Sequence, residues 1–275
     1  MKAILIVANK EFHDGLRNRW VMSISLIFAL LATGLAYFGA AASGQAGFTN
    51  LSTTLVSLAS LAVFVIPLIA LMLSYDGVVG EDESGTLLLL MTYPLSRWQL
   101  ILGKMMGHWM IIALSTIIGF GLSAIIMGLF SEDTSWGELV KPYAFFIAFA
   151  ILLGWIFIAI ATMISASVVE KSKAAGLALI VWFMFVFMFD LFLLGLLVGT
   201  EGNVNAELFP YLLLLNPTDI FRLIIIDFFA QQELTGLMAV AQHAQFATSS
   251  LILSMLAWFI APVLLAILLF NRRKL

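Results

Sequence analysis

Six long apolar runs constrain the fold of this 275-residue chain more than any other feature. The hydrocarbon core of a bilayer is about 30 Å thick and an α-helix rises about 1.5 Å per residue, so about 20 apolar residues cross it. Only 11% of the residues are charged, against about 25% in soluble domains. The sequence therefore predicts an all-α polytopic membrane protein, a single domain over residues 1–275. The six predicted spans are Trp20–Ala41, Leu55–Tyr75, Ile101–Leu129, Tyr143–Ile164, Ala174–Val198 and Ser250–Phe270.

The lysines and arginines fall almost entirely in alternate connecting segments. Of the thirteen, only Lys141 and Arg222 lie in the segments after the first, third and fifth predicted spans. Basic residues near span ends stay on the cytoplasmic side. Both termini are therefore expected to be cytoplasmic, which an even number of spans allows.

Several function classes are excluded or disfavoured. The chain has no cysteine, which removes disulfides, thiol catalysis and iron–sulfur clusters. It has no GxxxxGK[ST] loop, so nucleotide hydrolysis would need a separate subunit. No HExxH motif or deeply placed histidine suggests an intramembrane enzyme. No basic face is available for nucleic acid.

The sequence also predicts no metal site. The predicted topology puts His13 and His108 on one side of the membrane and His243 on the other. The thirteen methionines are explained by the gap filling that helical methionine usually provides. A secondary transporter remains an alternative, although it would usually show paired interrupted helices and several intramembrane charges.

Residues 1–19 are predicted to form an amphipathic helix that lies in the membrane interface. Apolar residues recur there at helical spacing, with Lys10 and His13 elsewhere on the helix. A solvated helical leader is the alternative. The apolar residues are Ile4, Leu5, Ala8, Phe12 and Leu16.

The predicted cytoplasmic loop over residues 76–98 contains "GEDESGTLLLLMTYPLSR". An acidic cluster is followed by Gly85 as a hinge, Thr86 as a possible cap, several leucines and Pro94 as a stop. This pattern predicts a short amphipathic helix that a groove on a cytoplasmic ATPase would bind. An ordinary solvated loop is the alternative.

A second predicted cytoplasmic loop, over residues 165–173, carries Glu170, Lys171 and Lys173. It suits a second contact with the same ATPase. The two lysines are equally well explained as positive-inside anchors.

Asp190 lies deep in the fifth predicted span, where an ionised carboxylate costs about 2.5–3.5 kcal/mol on insertion scales. It must be protonated or have a partner. A polar network at a dimer axis or beneath an external helix is one interpretation, and a locally satisfied structural acid is the other.

The segment over residues 199–249 is the longest predicted external region, and short re-entrant or interfacial helices are expected in it. One of them should begin near Pro217, with Thr218 or Asp219 as N-cap. Asn216, Pro217, Thr218, Asp219 and Arg222 are predicted to form a docking surface for a periplasmic protein. The alternative is a capped helix that closes the outer vestibule of a dimer.

Several blocks of the sequence resemble known permeases. The run "GEDESGTLLLLMTYPLSRWQLILGK" resembles the first cytoplasmic coupling element of ABC-2 type permeases. The blocks "SLASLAVFVIPLIALMLSYD", "EKSKAAGLALIVWFMFVFMFDL" and "LLLLNPTDIFRL" closely resemble the NosY family, the permease subunits of nitrous-oxide-reductase maturation transporters. The resemblance covers nearly the whole chain and is weakest between about Phe228 and Ser249.

This resemblance implies a homodimeric, non-catalytic permease of a bacterial inner membrane. It implies two copies of a cytoplasmic ABC ATPase that bind ATP and magnesium, a periplasmic β-helical partner, surrounding membrane lipid, and a role in building the copper sites of nitrous oxide reductase. No cofactor is expected on this chain, and a generic ABC-2 exporter of another substrate is the alternative. The residues expected to couple to the ATPase are Glu81, Asp82, Glu83, Gly85, Thr86, Arg97, Glu170 and Lys171.

Overall fold

The computed structural model describes residues 2–38, 51–130, 135–200, 209–229 and 246–273, and all regular secondary structure in these ranges is helical. A π-helical turn, Met184–Met188, and a 3₁₀ turn, Leu213–Leu215, accompany twelve α-helices in the described ranges. The helices are α1 (Lys2–Arg17), α2 (Trp20–Phe38), α3 (Leu51–Ser74), α4 (Val79–Glu83), α5 (Thr86–Met91), α6 (Arg97–Phe130), α7 (Trp136–Ser167), α8 (Lys171–Phe183), α9 (Phe189–Gly199), α10 (Phe209–Leu212), α11 (Pro217–Phe229) and α12 (Thr248–Arg272).

The six-span architecture is confirmed. Within the described ranges, six helical runs are long and apolar enough to cross a membrane: α2, α3 with α4, α6, α7, α8 with α9, and α12. Both α6 and α7 begin earlier than their apolar runs predict. In α7 the reason is a capping box, since Ser135 N donates to the Glu138 carboxylate at 3.1 Å and so starts the helix in polar sequence.

The first two helices pack along α6, where glycines permit close approach. A Cβ added at Gly103 would lie 2.6 Å from the Cβ of Val7 in α1, and one added at Gly119 would lie 2.4 Å from the Cβ of Phe28 in α2. Gly103 and Gly107 have GxxxG spacing, which in membrane helices can also place two chains in close contact. Here this spacing serves packing within the chain, and the placement of α1 in the membrane interface stays a prediction.

The predicted coupling loop over residues 76–98 contains two short helices, α4 and α5. Gly85 separates them with a φ of 71°, in the left-handed region that glycine adopts without strain. In the second predicted loop, α7 ends at Ser167 and α8 begins at Lys171.

The beginning of α11 lies beside the middle of two spans. The carbonyl of Phe185, in the π-helical turn of the fifth span, accepts hydrogen bonds from Asn216 Nδ2 at 2.8 Å and Thr218 Oγ1 at 3.4 Å. Just before α11, the carbonyl of Leu214 accepts one from Trp258 Nε1 of α12 at 3.0 Å. A π-helical turn breaks the regular ladder of backbone hydrogen bonds, and here the side chains of α11 bind to it.

The other end of α11 lies near the beginning of α7. The ring of Phe228 stacks on that of Phe145 with the centroids 3.9 Å apart. Thus α11 runs from the interior of the bundle toward the end opposite the chain termini, as expected for a re-entrant helix. The prediction of its N-cap was wrong, because the Asn216 side chain accepts the Thr218 backbone N–H at 3.0 Å and performs that role.

Candidate functional site

A buried lysine joins the N-terminal helix to the acidic cluster of α4. Lys104 Nζ lies 2.9 Å from Glu11 Oε1 and 2.6 Å from Glu81 Oε1, and its side chain is 4% exposed. Burial alone would raise the pKa of Glu11, but the charge and hydrogen bond of Lys104 outweigh it and lower that pKa to about 2. Because Glu81 binds this buried lysine, its side chain points into the protein rather than toward solvent.

The second acid of the cluster, Asp82, pairs with Arg273 at the end of the sixth span. The same guanidinium donates to the carbonyls of Ser165 and Ala166 at 3.2 and 3.4 Å. Arg97 then closes the end of α12, because its Nη1 donates to three backbone carbonyls at the end of this helix, where carbonyls run out of partners within the helix. Those carbonyls are Phe270 O at 3.2 Å, Asn271 O at 2.9 Å and Arg273 O at 2.8 Å.

The third acid, Glu83, connects the two predicted coupling loops. Its carboxylate accepts the backbone N–H of Lys171 at 2.6 Å, at the beginning of α8. The Lys171 ammonium lies 2.7 Å from Asp76 Oδ2, whereas Glu170 pairs with Lys173. A carboxylate at a helix N-terminus is favoured by the helix dipole, so Glu83 anchors α8 to α4.

Polar side chains inside the bundle hold the beginning of α4. Ser165 Oγ accepts the N–H groups of Val78 and Val79, each at 3.0 Å. His108 Nδ1 lies 3.0 Å from Ser74 Oγ. We call the joined groups the terminal network, since both ends of the chain enter it. Its members are Glu11, Ser74, Asp76, Glu81, Asp82, Glu83, Arg97, Lys104, His108, Ser165, Lys171 and Arg273.

The exposed part of this region is α5 and the turn after it. Leu88, Leu89 and Tyr93 are 57%, 64% and 63% exposed, whereas Leu87 on the opposite side of α5 is fully buried. Gly85 and Thr86 are exposed as well, and the Thr86 hydroxyl donates to the Glu81 carbonyl at 3.2 Å. An exposed apolar surface next to a rigid polar support suits a partner protein.

A second polar cluster lies between the fifth span and α11. Arg222 Nη1 lies 3.3 Å from Asp190 Oδ2 and 3.2 Å from Asp219 Oδ1. Asn216 Nδ2 donates to Asp219 Oδ2 at 2.9 Å. The partner that the sequence requires for Asp190 is therefore Arg222, as expected for a charged group at membrane depth.

The predicted docking residues do not present polar groups outward. Asn216 and Asp219 are fully buried, Thr218 is 1% exposed, Pro217 is buried, and the Arg222 side chain is 16% exposed. They face the fifth span because their hydrogen bonds go to Phe185 and Asp190. Docking of a partner at this corner stays a prediction, with Arg222 as its most accessible side chain.

Sequence reasoning missed seven members of the terminal network, namely Glu11, Ser74, Asp76, Lys104, His108, Ser165 and Arg273. Lys104 offered the clearest signal, because a lysine followed by an apolar helix must either reach the interface or find a carboxylate. Within the described ranges, no group of three or more acidic, histidine or cysteine side chains is arranged to hold a metal ion.

We expect Asp190→Asn to be tolerated better than Asp190→Leu, because asparagine keeps an oxygen for Arg222 and leucine leaves that donor one acceptor short. Losing such a partner costs about 1–3 kcal/mol, and the asparagine variant should lose less than half of this. The thermal midpoint of the purified protein measures both. Phe192→Leu, at a 62% exposed position in the same helix, is the control. Equal losses in the two Asp190 variants would show that the charge itself is required.

The six-span fold and a polar network at the end that carries both chain termini are features of a transporter membrane subunit. The chain matches the model of the ABC-2 family transporter proteins over residues 5–275, and it belongs to that family. It is 52% identical over 274 residues to the "Probable ABC transporter permease protein NosY" of Stutzerimonas stutzeri, with 99% of each chain covered. It is 48% identical over 275 residues to the protein of the same name from Pseudomonas aeruginosa, with 100% of each chain covered.

Proposed function

We propose that this chain is the non-catalytic permease subunit on which a separate cytoplasmic ATPase acts through α5. The observation that carries the proposal is the exposed apolar surface of Leu88, Leu89 and Tyr93 beside the terminal network. An apolar helix surface of this kind fits a hydrophobic groove on a partner. Membership of the ABC-2 family supports an ATPase as that partner.

The terminal network supplies the route by which force on α5 would reach the membrane. The acids of α4 connect to three different spans: Glu81 to α6 through Lys104, Asp82 to α12 through Arg273, and Glu83 to α8. Because each of the three contacts is short, a displacement of α4 would move the connected helix ends with it. In this proposal the ATPase binds α5, and the acids of α4 transmit the resulting movement to the spans.

The proposed assembly contains two copies of this chain and two copies of the ATPase, which hold the ATP and magnesium. This chain holds no cofactor of its own. Since the ATPase is cytoplasmic, the end that carries the terminal network faces the cytoplasm of a bacterium, and both chain termini lie there. Eleven of the thirteen basic residues fall in segments assigned to that side, which supports the orientation.

We further propose that the complex supports copper-site maturation of nitrous oxide reductase together with a periplasmic β-helical protein. Full-length identities of 52% and 48% to the two NosY permeases support this assignment over a generic exporter. At the outer end, movement of the fifth and sixth spans would reach such a partner through α11, which is bonded to both. Copper or sulfur species would be cargo of the system and not ligands of this chain.

The double variant Leu88→Ser/Leu89→Ser tests the coupling surface. Burying two leucines contributes roughly 3 kcal/mol or more, so the ATPase should bind at least 100-fold more weakly to the variant. The thermal midpoint of the permease alone should change little, because both side chains are already exposed. Co-purification of the ATPase and ATP hydrolysis by the complex are the measurements.

The matched control is Phe130→Ser/Val140→Ser, at positions that are 71% and 62% exposed at the opposite end of the bundle. It removes a similar apolar area and should leave ATPase binding unchanged. Undiminished ATPase binding by the Leu88/Leu89 variant would refute the coupling surface. Copper content of nitrous oxide reductase in cells that carry each variant then tests the maturation role separately.

A further inference from the structure

A groove opens on the side of the helix bundle where α1 turns into α2. It has a volume of about 780 Å³ and lies between the α1–α2 corner and α6. Most of its lining is apolar, and Met22, Leu26 and Leu122 are 62%, 57% and 44% exposed beside it. The remaining lining residues are Leu16, Arg19, Val21, Ser25, Ala29 and Ile118.

Among the described residues that line this groove, Arg19 is the one cation. Arg19 forms the corner between α1 and α2 with a φ of 58°, a left-handed conformation that is unfavourable for a residue with a side chain. Its side chain is exposed. The nearest acid along α1, Asp14, pairs with Lys10 instead, at 3.4 Å. No described acid forms an ion pair with Arg19, so its guanidinium can bind an anion at the membrane surface.

A buried hydroxyl lines the same groove farther from the mouth. Ser25 is 7% exposed, and its Oγ has no hydrogen-bond partner in the described part of the chain. A buried hydroxyl without a partner is unfavourable. Ser25 lies six residues beyond Arg19 in the sequence, which is about 9 Å along a helix axis. A ligand that binds both must have an anion at one end and an acceptor oxygen a short distance along an apolar chain.

We propose that this groove binds one anionic phospholipid of the leaflet that adjoins the α1–α2 corner, with its phosphate on Arg19 and an acyl chain along α2 and α6. The ester oxygens below the headgroup would accept the Ser25 hydroxyl. Basic pockets between membrane helices near the surface are suited to acidic headgroups. The apolar lining suits an acyl chain, since lipid and not water surrounds this face of a spanning helix.

A second copy of the chain is the other occupant that such a face would accept. The observations favour lipid because the cation stands where the apolar lining ends, as a headgroup requires. A contact between α2 helices of two copies would bring the two Arg19 side chains near each other, and the described residues of α2 contain no acid to neutralise them. The lipid would hold the corner between α1 and the first span in place. Since α1 contains Glu11, the lipid would also help to position the terminal network.

Native mass spectrometry tests the site on the purified full-length chain. The protein is relipidated in an equimolar mixture of dioleoyl phosphatidylglycerol and dioleoyl phosphatidylcholine, and the retained lipids are counted. The wild type should retain phosphatidylglycerol in preference to phosphatidylcholine. Arg19→Gln should reduce this preference about fivefold, as expected for one cation near the surface. Arg17→Gln removes the same charge two residues away, outside the groove, and should preserve it.

Filling the groove gives a second test that does not depend on charge. Leu122→Trp should reduce retention of both lipids, whereas Leu129→Trp, 66% exposed on the same helix and outside the groove, should not. Equal retention of the two lipids by the wild type would overturn the proposal, as would equal effects of Arg17→Gln and Arg19→Gln. A photoreactive residue at Met22 that captures a second copy of the chain instead of lipid would also overturn it.

Discussion

Replacing Lys104 by methionine is expected to lower the thermal midpoint of the purified protein by roughly 10 °C or more. Lys104 is 4% exposed and neutralises Glu11 and Glu81 at 2.9 and 2.6 Å. Removing one member of a buried ion pair costs about 3–5 kcal/mol. The exposed Lys10, whose Nζ lies 3.2 Å from Glu11 Oε1 and 3.9 Å from Glu81 Oε1, replaces only part of the lost interaction. Methionine matches the length of the lysine side chain, so the loss reports the charge and not a cavity.

A triple variant separates the charge effect from general damage. Adding Glu11→Gln and Glu81→Gln to Lys104→Met removes the two stranded charges and should recover most of the lost stability. Lys173→Met is the control and should cost little, because this side chain is 64% exposed and, among the described residues, pairs only with Glu170. If Lys104→Met unfolds no earlier than this control, the buried triad does not hold α1 to α4.

The same interaction predicts a dependence on pH. The pKa of Glu11 falls from 4.5 to about 2 in the folded chain. A lowered carboxyl pKa stabilises the fold above the unfolded value, and this stabilisation is lost as pH falls through the folded value. The difference between the wild type and Lys104→Met should therefore be constant near neutral pH and shrink between about pH 4.5 and 2.

The six spans were predictable because each depends only on a local run of apolar residues. The turn at Gly85 was predictable for a similar reason, since a glycine just before an apolar run is itself a local signal. The prediction of Thr86 as the cap was wrong, because Gly85 is the N-cap of α5 and Thr86 is its first helical residue. The beginning of α7 was predicted too late, because the capping box of Ser135 and Glu138 adds polar turns that hydropathy does not count.

The partners of the acidic cluster were not predictable from the pattern. Glu81, Asp82 and Glu83 are adjacent in sequence, but the residues they bind are 23, 191 and 88 positions away. A cluster of acids between two apolar runs predicts a solvated surface equally well. Glu81 and Asp82 face inward, and the exposed Glu83 holds the beginning of α8. Changing all three to alanine would therefore weaken the supports of α4 as well as any coupling, and the exposed leucines of α5 give a cleaner test.

The inward orientation of the polar side chains at the beginning of α11 was missed for a different physical reason. Polar residues after an apolar run predict an exit from the membrane, and Asn216 to Arg222 follow "LLLL". The chain instead satisfies these groups inside, since the π-helical turn of the fifth span offers the Phe185 carbonyl and Asp190 offers its carboxylate. A single sequence carries no reliable signal for a π-helical turn, so the acceptors could not be foreseen.

Alanine substitutions at two glycines of α6 are expected to change stability in opposite directions. A Cβ at Gly107 would lie 2.4 Å from the Cβ of Glu11 and 2.9 Å from the carbonyl oxygen of Ala8, whereas a Cβ at Gly121 would meet nothing within 4 Å. Gly107→Ala should therefore cost about 3 kcal/mol, because the clash with the Ala8 backbone forces α1 away from α6. Gly121→Ala should stabilise by about 0.5–1 kcal/mol, because alanine loses less backbone entropy in a helix.

The comparison of these variants decides where the GxxxG spacing of Gly103 and Gly107 acts. If these glycines pack α1 within one chain, Gly107→Ala lowers the thermal midpoint and exposes α1 to added protease while the oligomeric state of the surviving folded protein is unchanged. Displacing α1 should also pull Glu11 from Lys104, so Gly107→Ala combined with Lys104→Met should lose less than the sum of the two single variants. Loss of the dimer without a change in the protease sensitivity of α1 would place the glycines between chains instead. That result would contradict the close contact of Gly103 with Val7 and of Gly107 with Ala8.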